Sequence, residues 1–268
     1  MGALCVKSMA GDDAADWKGA GGHHMPAVFV NHGGGPMPIL GKQPGIAKFF
    51  QSYPATLPTT PSAILIVTAH WETERQLKVS GAKSHKLYFD YGGFPKESYE
   101  YEYPAPGSPG LANRVISLLS AKGLKCTADL SRGWDHGVFV PLMLMFPGAS
   151  VPVVSLSLYG SQDATEHMEA GARDPTVRDR GIKHSENFHA WLADTVQSEK
   201  ISQEERKRRL SSWLEAPSAL EAQPRGQAEH LMPLFVVLGA AGYAPGRLLN
   251  ADADQAPQSF YVSEFEFP

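Results

Sequence analysis

Four histidines stand in four separate local settings: Asn31-His32-Gly33-Gly34-Gly35, Thr68-Ala69-His70-Trp71, Trp134-Asp135-His136-Gly137 and Glu229-His230-Leu231. Neutral imidazole is the commonest protein ligand for a transition metal, so this set points to metal chemistry. At least three of the four sit where an apolar run gives out. Strand ends and a helix start would then deliver side chains from distant parts of the chain to one site. Any one of them has an ordinary alternative, because a histidine at a strand end also caps a neighbouring carbonyl. Their joint occurrence favours the metal. Gly33, Gly34 and Gly35 let the backbone approach a ligand beside His32, and the indole of Trp71 can wall a flat aromatic substrate beside His70. Asp135 is a candidate to orient the neighbouring His136 ring, although adjacent side chains often point apart.

The elements that must position these residues alternate in the manner of an α/β protein. Apolar β-favouring runs at 27–30, 63–67, 76–80 and 151–158 predict strands, and 260–267 alternates as a closing strand. Helical spacing predicts helices over 45–53, 110–122, 138–146, 186–198 and 202–214, and one over 225–242 that carries His230 near its start. The first two strands with the helix between them form a plausible βαβ unit, which would bring His32 and His70 to one edge of a parallel sheet. The expected architecture is a single α/β domain, with a central mostly parallel or mixed sheet flanked by helices. Residues 1–25, rich in Gly, Ala and Asp, read as a loosely ordered extension, and 26–268 as the domain. His23 and His24 in that extension read as an exposed pair. The stretch 88–109 is rich in Tyr and punctuated by Gly and Pro, and suits a loop covering a pocket. The charged run Glu204-Glu205-Arg206-Lys207-Arg208-Arg209 reads as a solvated helix face.

Composition narrows the partners. With 268 residues and 43% hydrophobic content the chain can bury a substantial core, and a formal net charge of -4 offers no field for a phosphate backbone. Nucleic acid is excluded as an expected partner. No apolar run has the length to span a bilayer and the start lacks a secretory apolar core, so neither membrane nor export is expected. Cys5 and Cys126 lack the close spacing of a zinc knuckle or redox pair. A cytoplasmic location is the resulting expectation. Homo-oligomerisation stays open.

Further motifs carry a family resemblance. Asn31-His32-Gly33-Gly34-Gly35-Pro36-Met37, Thr68-Ala69-His70-Trp71, Asp90-Tyr91-Gly92-Gly93-Phe94-Pro95, Tyr103-Pro104-Ala105-Pro106-Gly107-Ser108-Pro109, Trp134-Asp135-His136-Gly137 and Glu229-His230-Leu231-Met232-Pro233-Leu234 occur in that order. Together they resemble the class III extradiol ring-cleavage dioxygenases, and more closely the 4,5-DOPA dioxygenase branch. The resemblance implies a metal held by His32, His70 and His230 at one end of the sheet. It also implies that His136 contacts or protonates substrate in the pocket. The implied reaction opens a small DOPA-like catechol beside its two hydroxyls, using O2 and Fe(II), while relatives have also been seen holding Zn(II). Three neutral imidazoles suit this chemistry, because they leave coordination positions open.

The chain departs from the family at one place. Members usually carry a strand and a loop ending in a Ser-x-His-Asn motif before a later helix. Here Arg178-Asp179-Arg180-Gly181-Ile182 passes directly into Lys183-His184-Ser185-Glu186-Asn187-Phe188-His189. His184 or His189 is the candidate to replace the missing histidine as acid/base or fourth ligand. The competing readings are a degenerate member that binds Zn(II) or catechol without turnover, a hydrolase using zinc-bound hydroxide, and a binding protein without metal.

Overall fold

The computed structural model describes residues 2–5, 25–160, 177–223, 228–250 and 264–267. The strands are β1 (Gly2–Cys5), β2 (Ala27–Val30), β3 (Ile64–Thr73), β4 (Leu77–Ser80), β5 (Cys126–Asp129), β6 (Val153–Tyr159), β7 (Arg247–Asn250) and β8 (Glu264–Phe267). They form one mixed sheet in the order β5-β4-β6-β3-β1-β2-β8-β7. The helices are α1 (Pro44–Ser52), α2 (Pro109–Ala121), α3 (His136–Met145), α4 (Val177–Gln197), α5 (Gln203–Ser211), α6 (Ala219–Ala222) and α7 (Met232–Ala240). The expected α/β class, with helices flanking a central sheet, is therefore the observed one.

Side chains alternate across each strand, so the sheet's two faces build two separate cores. Val28, Val30, Ile64, Ile66 and Val153 pack with Ile46 and Phe50 of α1 and with Val138 and Leu142 of α3. Ala27, Phe29, Val67, Val154 and Leu156 pack on the other face with Val115 of α2, Leu192 of α4 and Leu234 of α7. Burial on both faces explains why these strands read as continuous apolar runs.

Local chemistry sets several helix starts. Ser108 accepts a hydrogen bond from the Leu111 amide and Pro109 opens α2, while Asp135 accepts from the Gly137 amide to start α3. In α3 both faces are apolar and buried, so the helix is held between sheet and loop rather than lying on the surface.

Three expectations change. Residues 2–5, expected within the loosely ordered extension, form β1, while 6–24 lie outside the described residues. β1 runs antiparallel between β2 and β3, with Gly2 opposite both Val30 and Thr68. Consequently β2 and β3 are parallel to each other but not hydrogen-bonded neighbours, and the simple βαβ pairing does not occur. Among the described residues of the expected helix 225–242, the helix runs over Met232–Ala240 and residues 228–231 form the turn before it, while 225–227 lie outside the described residues.

Arg206 also departs from the expected solvated face. It is 1% exposed, and its guanidinium donates to the carbonyls of Thr195 at 3.0 Å, Tyr243 at 2.7 Å and Ser198. Around it Glu205 pairs with Arg208 and Arg209 at the surface, as expected for the run. The cation thus satisfies carbonyls at the end of α4, where the helix dipole favours positive charge. Arg206→Met is expected to cost about 3 kcal/mol, because several charge-assisted bonds leave carbonyls unpaired. Urea unfolding measures it, and a cost below about 0.5 kcal/mol, typical of surface changes, would contradict this role.

Candidate metal centre

Each of the four histidines is delivered by a different element. His32 lies two residues beyond β2, His70 within β3, His136 at the first position of α3 and His230 in the turn before α7. Their rings converge. The centroid of His32 lies 4.8 Å from that of His70 and 4.7 Å from that of His136, and His70 and His136 are 4.2 Å apart. His230 stands slightly further out, 5.2 Å from His70 and 6.0 Å from His32.

The donor atoms suit a cation. The Nε2 atoms of His32 and His70 are 3.0 Å apart, close to the roughly 3 Å that separates neighbouring ligands each about 2.1 Å from one ion. Among the described residues, His32, His70 and His136 form the group whose donor atoms all lie within 4.8 Å of one another. His230 sits beside that group rather than inside it. The expected set of four is therefore brought together, with His136 rather than His230 in the close group with His32 and His70.

Carboxylates hold the rings from behind. Asp90, in the loop after β4, accepts through Oδ1 from His136 Nδ1 at 2.8 Å and from the His136 backbone amide at 3.0 Å. Its Oδ2 lies 3.5 Å from His70 Nδ1. Glu229 Oε1 is 2.9 Å from His230 Nδ1. A carboxylate that accepts at Nδ1 keeps the proton there and leaves the Nε2 lone pair for a metal or substrate. Burial works to raise the Asp90 carboxyl, but hydrogen bonds and charge from His136 outweigh it and hold the group below the usual carboxylate range.

Asp90 was not foreseen in this role. The motif containing it is legible in the sequence, whereas adjacency makes Asp135 the candidate to orient His136. Asp135 instead accepts from Thr68 Oγ1 at 2.7 Å, Arg132 Nη2 at 3.0 Å and the Gly137 amide at 3.1 Å. It is already committed as the start of α3. The available signal was the chain separation: an adjacent carboxylate shares its neighbour's backbone, whereas a distant one can meet the ring head on.

Glycines allow the close packing. A Cβ on Gly137 would stand 2.8 Å from Thr68 Oγ1 and 3.0 Å from His70 Cδ2, and Gly33 adopts φ +80 with the Gln43 and Pro38 side chains in the space a Cβ would need. Beyond His136, Tyr91 lies 5.9 Å away ring to ring and packs with Phe94 and Tyr99. Part of the aromatic loop therefore flanks the histidines. Tyr103 is instead buried with its hydroxyl on the Phe146 carbonyl, and Tyr88 is half exposed.

His189 is half-buried on α4, where burial lowers its pKa, and it does not belong to the close histidine group. His184 is also on α4, but its side chain lies outside the described residues.

Burial lowers the pKa of His32 well below 6.5 and that of His70 to about 3, and the neighbouring imidazoles add to both shifts. His230 is lowered by burial as well. An unfolded chain takes up protons on these groups near pH 6.5, whereas the folded one resists to lower pH, so stability falls with pH across that interval. The metal-free protein is therefore expected to keep full stability above about pH 6.5 and to lose it progressively toward pH 3. Thermal midpoints of chelator-treated protein at pH 7.5 and 5.0 check this, and a higher midpoint at 5.0 would contradict it.

Comparison with known proteins places this geometry. Residues 19–173 match the family model of the catalytic LigB subunit of aromatic ring-opening dioxygenase. A dioxygenase of Hapsidospora irregularis is 35% identical, over 81% of this chain and 78% of that protein. The 4,5-DOPA dioxygenase extradiol of Beta vulgaris is 35% identical over 80% and 86% of the two chains, and that of Mirabilis jalapa 31% identical over 89% and 95%. A crystal structure of an uncharacterized Escherichia coli K12 protein superposes with a TM-score of 0.60 at 25% identity, covering 91% of this chain and 100% of that one. The chain belongs to the class III extradiol dioxygenases, a family of non-haem, metal-dependent enzymes that cleave aromatic rings.

Proposed function

We propose that this protein opens the ring of a small DOPA-like catechol beside its hydroxyls, with O2 as co-substrate. In this reading Fe(II) is held by His32, His70 and His230, and His136 is the pocket acid/base. One observation carries the proposal. Four imidazoles from four segments converge, and the ring nitrogens of His136 and His230 that point away from the centre rest on carboxylates. Bound Fe(II) would supply the redox chemistry, which Zn(II) lacks for want of a second oxidation state. His136 would accept a catechol proton at Nε2, and Asp90 at Nδ1 would stabilise the resulting imidazolium. The flat ring would lie beside Tyr91 and the His136 imidazole. The named relatives support a catechol of the DOPA type.

Anaerobic Fe(II) loading followed by a panel of catechols tests the reading. The expected result is a yellow ring-opened product from DOPA or a close analogue. Metal-loaded protein that opens none of the catechols would sink it.

A second reading has its own support. His189 lies outside the close group of His32, His70 and His136, and the His184 side chain lies outside the described residues, so neither is placed among those three donors as the missing Ser-x-His-Asn histidine. The protein would then bind Zn(II) or catechol without turnover. Turnover that disappears in His184→Ala or His189→Ala, with metal still bound, would reject that alternative.

A further inference from the structure

The strand that carries His70 leaves its ladder just where the histidine lies. β3 pairs with β6 through Val67↔Leu156 and again at Glu72↔Leu158, so the β3 side contains extra residues between these points. A bulge of this kind re-aims side chains but takes backbone groups out of regular pairing. Those groups need other partners.

The partners are Thr68 on β3 itself and, from the segment between β5 and α3, Arg132 and Asp135. The His70 amide donates to Thr68 Oγ1 at 3.1 Å, and that hydroxyl donates to Asp135 Oδ1 at 2.7 Å. The His70 carbonyl accepts from Arg132 Nη2 at 3.1 Å, and the same nitrogen reaches Asp135 Oδ2 at 3.0 Å. One guanidinium and one carboxylate therefore hold both sides of the bulged residue. Arg132 is itself fixed: its amide donates to Asp129 Oδ1 at 2.9 Å and its carbonyl faces His85 Nδ1 at 2.9 Å. Its guanidinium carbon lies 5.1 Å from the centre of the Trp71 ring and 5.0 Å from that of the Tyr88 ring.

We infer that Arg132 is a positioning residue for the metal centre, setting the His70 imidazole through the backbone of the β3 bulge and through Asp135. The inference rests on the reading of His70 as a ligand. A lysine at this place keeps the charge, but its ammonium is a point charge without the planar guanidinium face that packs against aromatic rings. It cannot reproduce the same arrangement of contacts.

The test is Co(II) titration of metal-free protein, followed by the visible spectrum of the bound ion, for wild type, Arg132→Lys and Arg132→Met. Both variants are expected to bind Co(II) about 10- to 100-fold more weakly, the range for partners that orient a ligand. A changed Co(II) spectrum in Arg132→Lys is also expected, which a general loss of stability would not produce. Should Arg132→Met fail to fold, the lysine variant decides alone. Wild-type affinity and spectrum in Arg132→Lys would overturn the inference, and so would a lysine variant that does not fold, since that assigns Arg132 to stability. Wild-type protein that binds no Co(II) would instead remove the metal-site reading beneath it.

Discussion

His136→Gln is expected to lower ring-opening turnover by about 100- to 10,000-fold, the usual range for a lost acid/base group. Glutamine is polar and can still meet Asp90, but it cannot take up a proton near neutral pH. The present ring donates from Nδ1 to Asp90 Oδ1 at 2.8 Å, which leaves the Nε2 lone pair to take up a proton. Metal content is expected to remain near the wild-type level, because His32, His70 and His230 are the assigned ligands. Metal analysis and initial rates together give the result. Unchanged turnover would contradict the role, and loss of metal would transfer His136 to the ligand set with His32 and His70, the grouping that its donor distances also allow.

A larger loss of binding is expected from His70→Ala. Its Nε2 lies 3.0 Å from that of His32, so its removal breaks a pair of donors already at ligand spacing. An orienting partner is worth about 10- to 100-fold in metal affinity, and a ligand should be worth more. Metal affinity is therefore expected to fall by more than about 100-fold, with turnover falling alongside it. Equilibrium dialysis against Fe(II) under anaerobic conditions measures the first quantity. Wild-type affinity in the alanine variant would remove His70 from the centre.

The sequence exposed the site more readily than the supports around it. His32 and His70 were legible because each follows an apolar run that needs burial on both faces, and Val28, Val30, Ile64 and Ile66 are indeed buried. β1 was hidden because Gly2-Ala3-Leu4-Cys5 is too short to show a period, and its pairing partners lie far along the chain. The role of Asp90 was hidden for a related reason. Motif reading places a carboxylate in a loop but does not say which distant imidazole it meets. Arg206 shows the opposite failure: a run of charges suggested solvent, yet one arginine turns inward to carbonyls at the end of α4. Chain order makes His184 and His189 the candidates nearest the missing motif, but it does not say where their rings point, and His189 falls outside the close group of His32, His70 and His136.

The central claim is that this histidine centre performs oxidative ring cleavage. Its most direct measurement is oxygen uptake against product formed, using protein stripped of metal and reloaded with Fe(II) or Zn(II). One O2 is expected to be consumed for each DOPA-like catechol ring opened with Fe(II), and none with Zn(II). Equal turnover with both metals, or Fe(II)-loaded protein that consumes no oxygen with any catechol, would contradict it.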